Sequence, residues 1–442
     1  MKLNIPLFLA LIFFPAISNG QDKSGINEEA IKQTKYALEL CKYLHRNPEL
    51  SYQEEETSLR IAEELKLIGF DVTPNFGGNS VVGIFKNGEG PVIMLRTDMD
   101  ALPIKENTGL SFASAKTMMD ANGIEVPVMH ACGHDIHMSV MVGTVRALIS
   151  MRDKWNGTLL IVAQQSEEMG DGASLAIEEG LFKKFPVPDY ALAYHINPGI
   201  ESGRIGLIPG PVFAGVKTVN ITVFGVGGHG AYPEKCIDPI VIASRIVLDL
   251  QTIVSREISP LKPVVLTVGS IHGGTRPNII PEEVKMELTL RYYDKDVIEQ
   301  TIKAIKRISK GAALTAGMPA NRLPEVWVKP GAHPPVVNDA DLYEKIREYS
   351  SGILGEENMV RVDPAMVGED FGLYGRTPEK IPICLIWLGS TSPEVMHDYM
   401  TKGKKPPPLH SSQLNPDYPA TIEIGIKAMV ANVVGLFGEG NK

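Results

Sequence analysis

Long apolar runs, basic blocks, low-complexity tracts and clustered cysteines are all scarce in this 442-residue chain. Only the first twenty residues, MKLNIPLFLALIFFPAISNG, form an extended apolar stretch. One lysine precedes the run and the chain turns hydrophilic from Asn19, the layout of a secretory signal peptide over 1–20 and too short for a good membrane span. An uncleaved N-terminal anchor is the alternative on the same residues. No later segment approaches the roughly 18 apolar residues a membrane helix needs. The expectation is an exported protein, periplasmic or extracellular, with no membrane partner once the leader is removed. Forty-three Lys and Arg against 52 Asp and Glu leave a net charge of −9 without any basic block, which argues against nucleic acid as a partner. Cys41, Cys132, Cys236 and Cys384 are too few and too scattered for a disulfide-stapled scaffold, although one bridge among Cys41, Cys236 and Cys384 stays open.

What the chain does have is an enzyme-sized globular composition, 44% hydrophobic and 21% charged. Roughly 420 residues past the leader are more than one core ordinarily serves, which predicts two domains. NEEAIKQTKYALELCKYLHRNPEL and EEETSLRIAEELKLIGF carry helical spacing, the second closed by Gly69. SVVGIF, PVIMLRTDMDALPI, GTLLIVAQQSEE and YALAYHI read as strands, with HMSVMVGTVRALISM a helix directly after a histidine cluster. Strands alternating with helices predict an α/β fold: a mostly parallel sheet with helices on both faces. From about position 213 the texture changes to period-2 alternation, in a βαββα run closed by EVWVKP. That segment reads as an inserted α+β domain of ferredoxin-like type over 214–330, with the α/β pattern over 21–213 resuming over 331–442. No internal repeat is visible.

VMHACGHDIHMS packs three histidines, a cysteine and an aspartate into twelve residues. Cys132 and His134, two apart and just before a helix, can face one borderline-soft divalent ion. The alternative is a packed or reactive cysteine among loop histidines. Asp98 and Asp100 close one buried strand, at the end where ligand sites of open α/β sheets gather. Glu167 and Glu168 close another. Adjacent side chains on a strand point to opposite sides, so one carboxylate can bind metal while the other faces substrate as a base. A solvated strand end is the bland alternative for that pair. His195 ends a third strand and His410 follows the stiff KKPPPL stretch; for each, an ordinary histidine without a ligand role is the alternative.

LRTDMDALPI, MHACGHDIHMS, SEEMGDGA, GGHGAYPE, GTRPNIIPEE and MVGEDFGLYG, in this order and over nearly the whole mature chain, resemble the N-acyl-amino-acid amidohydrolases. These dinuclear metallohydrolases include hippurate hydrolases and indole-3-acetyl-amino-acid hydrolases. The resemblance implies metal ligation by Cys132, His134, Glu168, His195 and His410, with Glu167 as general base and Asp100 supporting the ligands from behind. It makes the inserted domain a lid that also forms a homodimer. From that lid His229 would reach the partner subunit's site to stabilise an oxyanion, and Asn278 would contact substrate. Arg276 and Arg291 could pair with a substrate carboxylate, surface or structural ion pairs being the alternative. The implied cofactor is two divalent ions per subunit, zinc, manganese, cobalt or nickel, which acidify a bridging water and polarise the scissile carbonyl. The implied reaction is hydrolysis of the amide of a small N-acyl amino acid, hippurate-like. A dipeptidase or carboxypeptidase of the same clan and a non-catalytic metal-binding homologue are the alternatives, as is Cys132 acting as a nucleophile. The chain departs from the family pattern in QSEE for PAEE, in Ile136 for the glycine of GHDGH, and in the extra proline-rich stretch before His410.

Overall fold

Apolar residues at three- and four-residue spacing shape helix α1 (Lys23–Arg46), which buries Ile26, Ala30, Ala37, Leu40, Cys41 and Leu44 along one stripe. The computed structural model describes residues 23–331 and 333–439, so the leader expected over 1–20 lies outside them. Helix α2 (Glu55–Leu67) ends just before Gly69, whose φ of +94° suits a residue without a side chain. Strands β1 (Asp71–Phe76), β2 (Ser80–Asn87) and β3 (Val92–Asp98) follow, then helix α3 (His134–Ser150). Strands β4 (Gly157–Gln164), β5 (Tyr190–Glu201) and β6 (Ile205–Leu207) complete the first stretch of this layer.

A second βαββαβ unit comes next: β7 (Gly215–Phe224), α4 (Pro239–Thr252), β8 (Val264–Gly273), β9 (Glu283–Tyr292), α5 (Lys295–Thr315) and β10 (Glu325–Val328). Its sheet runs β8-β9-β7-β10 with every pairing antiparallel, the split-βαβ order expected of a ferredoxin-like unit. It has its own hydrophobic core, from Val219 to Met318, in which Ile246, Met286, Leu290 and Ile305 are fully buried. The chain then returns through α6 (Ala340–Leu354), β11 (Met359–Arg361), β12 (Ile383–Thr391), α7 (Pro393–Thr401) and α8 (Tyr418–Glu439).

The main sheet runs β1-β2-β4-β3-β5-β12-β6-β11. Its central strands β4, β3, β5 and β12 are parallel, while β2 joins β4 and β6 joins β12 antiparallel. Both faces are covered: Ile93, Leu95, Leu159 and Ile161 point into the core under α1, α3 and α8, and Met94, Leu160 and Val162 into the opposite core around Phe371 and Tyr374. Helix α8 departs from the expectation for late segments, because by length and composition it could cross a membrane. Its most apolar window is 72% buried, and it packs against α1, α3, α6 and β12, the behaviour of a helix that is apolar all round because it fills a core. All four cysteines are free thiols.

Candidate metal centre

The parallel strands end on one side, and the side chains of interest collect there. Cys132 and His134 sit where the chain turns into α3, with Gly133 between them at φ +81°. A Cβ on Gly133 would lie 2.3 Å from Ile196 Cδ1, so both the backbone angle and the close approach require glycine. His134 belongs to the first turn of α3, which begins three residues before the end of the histidine cluster. His195 lies within β5 and not at its end, because β5 continues to Glu201. Neighbouring β3 stops pairing at Ala193, however, so the sheet opens beside the His195 ring.

Cys132 Sγ is 3.5 Å from His195 Nε2. His134 Nδ1–H donates to the Asp100 carbonyl at 2.8 Å and His195 Nδ1–H to the Ile196 carbonyl at 2.9 Å. Each ring is thereby held in the tautomer that leaves Nε2 free to ligate. His134 Nε2 lies 3.9 Å from both Glu167 and Glu168, and Glu168 Oε1 lies 3.3 Å from His410 Nε2. His410 is 45% exposed and has a positive φ of 64°. Ligand atoms of Cys132, His134 and His195, of Cys132, Glu168 and His410, and of His134, Glu167 and Glu168 form three overlapping groups, each within 4.8 Å.

The glutamate pair corrects the strand-alternation argument. β4 stops at Gln164, Ser166 takes a positive φ of 54°, and Glu167 and Glu168 lie in a turn. Their backbone N–H groups both donate to the buried Asp100 carboxylate, at 3.1 and 3.0 Å, and Ser51 adds a third bond at 2.7 Å. That turn, rather than opposite faces of a strand, brings both side chains to His134.

Behind Glu167 lies a group the sequence analysis did not assign. Arg96 reaches Asp98 at 2.8 Å, Glu369 at 3.0 Å and Asp370 at 2.8 Å, all fully buried. Glu369 and Asp370 in turn approach Glu167. Asp98 also accepts from His137 Nδ1 at 2.7 Å, and His137 Nε2 accepts the Ile196 N–H at 2.9 Å. With both nitrogens committed, His137 has no lone pair for an ion, although it stands within reach of Asp98 and His134. Asp98 is legible as a strand-end carboxylate and Glu369–Asp370 as part of the MVGEDF block; their meeting at Arg96 joins residues 274 positions apart and has no local signal.

Burial, with the carboxylates of Glu168 and Glu167, pushes the Cys132 thiol well above its ordinary range. Burial would lower His134, but Asp98 and the bond to Asp100 outweigh it and lift the imidazole to about 10. Burial, then Glu369 and Glu168, raise the Glu167 carboxyl well above the usual range. These shifts describe a crowded, dehydrated set of anionic donors that hold protons where positive charge is wanted. Two buried atoms aimed into the set, His134 Nε2 and Glu168 Oε1, have no hydrogen-bond partner, at a cost of about 1–3 kcal/mol each if left so. Sulfur, imidazole and carboxylate donors in this array fit divalent ions.

The candidate residues of the inserted unit lie elsewhere in the chain's own fold. His229 is exposed, pairs in register with Ile279, and accepts the Ala231 N–H at 3.0 Å. Gly230 N–H donates to the Asn278 carbonyl at 2.8 Å, and exposed Arg276 lines a cavity of about 560 Å³ with Gly230. Among the described residues no hydrogen bond or ion pair joins His229, Arg276 or Asn278 to the Cys132 cluster. Arg291 is half-buried, and a Cβ added to Gly368 would sit 3.1 Å from its guanidinium.

The model of peptidase family M20/M25/M40 matches residues 94–401. An N-acetyldiaminopimelate deacetylase from Lactobacillus acidophilus is 33% identical over 91% of this chain and 98% of its own length. An IAA-amino acid hydrolase from Arabidopsis thaliana is 33% identical over 84% of this chain and 83% of its own. A crystal structure of a dinuclear metal binding peptidase from Bacillus subtilis superposes with a TM-score of 0.73 at 28% identity, covering 91% of this chain and 98% of that one.

Proposed function

The chain belongs to peptidase family M20/M25/M40, and on that premise we propose that it is a metal-dependent amidohydrolase that cleaves the amide bond of N-acyl amino acids, hippurate-like conjugates among them. The observation that carries the reading is the convergence of Cys132, His134, Glu168, His195 and His410 with two buried donor atoms that lack a hydrogen bond. In this reading those five residues hold two divalent ions. The bound ions would supply positive charge that acidifies water and polarises the amide carbonyl.

The rest of the chemistry falls to the protein. Glu167 is the base: dehydrated and flanked by Glu369 and Asp370, it holds a proton more tightly than a surface carboxylate. It takes the proton from the attacking water and returns it to the leaving amine. Arg96 anchors Glu369 and Asp370 and so keeps like charge from driving Glu167 away. Asp100 fixes the Glu167–Glu168 backbone, which aims both side chains. The inserted domain acts as the lid and as the homodimer contact. Strand β8 is an open sheet edge, a template for pairing, and Val241 and Leu248 on α4 are 65% and 71% exposed. His229 then works on the partner subunit's site, donating to the developing oxyanion. Arg276 and Asn278 of the lid face the substrate's amino-acid half. The leader over 1–20 directs the protein out of the cytoplasm.

Elemental analysis of purified wild type and Glu167→Ala, with both assayed on an N-acyl amino acid panel, tests the core of this reading. Two metal ions per chain in both proteins with turnover only in wild type is the expected result. A wild type without metal, or a Glu167→Ala enzyme near full activity, sinks it and returns Cys132 as a candidate nucleophile.

A further inference from the structure

Against the metal centre lies a cavity of about 600 Å³ that none of the steps above uses. Its walls include Trp387, Met396, Met400, Leu409, Val367 and His410. Two of the five donor residues thus border it directly or through one ring: His410 lines it, and Trp387 packs its ring on that of His195 with centroids 5.4 Å apart. The charged side chains on its wall, Lys404 and Lys405, are both exposed, so no buried charge faces the interior. The volume is that of a pocket for a ring or a chain, far beyond what two acetyl carbons occupy.

One side of the wall comes from α7 and from the proline-rich stretch in which the chain departs from the family pattern. Pro406 and Pro408 fix backbone angles there, so the wall is formed before substrate arrives. Met396 and Met400 project from α7, one turn apart, and their unbranched thioethers adapt to differently shaped apolar groups.

We propose that this cavity takes the acyl half of the substrate, an apolar chain or ring larger than acetyl, and that Met400, Met396 and Trp387 set that preference. The inference rests on the N-acyl amino acid reading. It assigns the acyl half because that half is uncharged throughout, whereas the amino-acid half brings a carboxylate that an apolar interior without a buried cation would strip of water.

Two measurements on the metal-bound enzyme test it. The first is kcat/KM for one amino acid carrying acyl groups from acetyl to octanoyl, and phenylacetyl, in wild type and Met400→Gln; Met400 is 69% exposed, so the fold tolerates the change. Wild type should gain about fourfold per added methylene until the cavity fills, and Met400→Gln should lose at least fivefold in its octanoyl-to-acetyl ratio. The second is calorimetric binding of acetate, octanoate and phenylacetate to both proteins, which needs no turnover. Tighter binding of the larger acids, weakened in Met400→Gln, supports the cavity assignment even if no N-acyl substrate is cleaved, and the functional reading alone then fails. Cleavage that favours acetyl, an acyl-length profile unchanged in Met400→Gln, or selectivity that follows the amino-acid side chain instead, overturns the cavity assignment while the functional reading stands.

Discussion

His134 and His195 are prepared in the same way: each donates Nδ1–H to a backbone carbonyl and turns Nε2 to the cluster. His137, three residues along the same helix, is spent on Asp98 and Ile196. His45 shows a third use of the residue. Its two nitrogens face Asp135 at 2.8 Å and Glu106 at 3.1 Å, so only the doubly protonated ring satisfies both carboxylates. Burial works against that charge, but the bonds to Asp135 and Glu106 prevail and raise the pKa to about 9. Because the folded value lies above the unfolded one of about 6.5, the stabilisation is complete below pH 6.5 and fades as pH rises through 9. It amounts to on the order of 3 kcal/mol. Urea unfolding of chelator-treated wild type and His45→Gln should show wild type losing its advantage between pH 6.5 and 9.5. Parallel pH profiles for the two would refute the charged ring. From sequence, His45 and His137 carry no sign of the partners that hold them. What commits a ring to a structural role is a partner dozens of residues away, as Asp135 is for His45 and Asp98 for His137, and no local pattern encodes that.

Elements decide how those side chains are aimed. The turn into α3 depends on Gly133, where an added Cβ would meet Ile196, the residue whose carbonyl orients His195 and whose N–H holds His137. Gly133→Ala should therefore cost about 1–2 kcal/mol through its left-handed backbone. It should also weaken metal binding roughly tenfold or more by disturbing the carbonyl behind His195. A metal titration alongside a urea melt checks both, and unchanged affinity in a folded variant would remove the link between Ile196 and the ligands. The second turn, after β4, was legible only as a place. The sequence marks two glutamates where a buried strand leaves the core, but it does not show the positive φ at Ser166 or the two hydrogen bonds to Asp100, 67 and 68 residues earlier. Strand alternation therefore pointed to the pair that meets His134, but through the wrong geometry.

At the scale of the molecule, the chemistry is divided between the main sheet and the inserted unit. The sheet core carries the candidate metal centre, and the core from Val219 to Met318 carries His229, Arg276 and Asn278 on a unit with no bond to the cluster among the described residues. If His229 serves the partner's site, Glu167→Ala and His229→Ala subunits are each inactive as homodimers, yet together form mixed dimers with one complete site. Mixing them under subunit exchange should restore about a quarter of wild-type activity, since half the dimers are mixed and each has one working site of two. No recovery, with exchange verified by mass, would place His229 outside the partner's chemistry. The sequence by itself determined the elements, the insertion of an α+β unit into the α/β pattern, and which residues stand as candidate donors, because periodicity, turn residues and motif blocks are local properties of the chain. Only the tertiary structure decided which candidate donors meet, that His137 is spent while His134 is free, that Arg96 gathers Asp98, Glu369 and Asp370 behind Glu167, and that an apolar cavity opens beside His410. Those outcomes depend on distances between residues far apart in the chain, and such distances exist only once both faces of the sheet have packed.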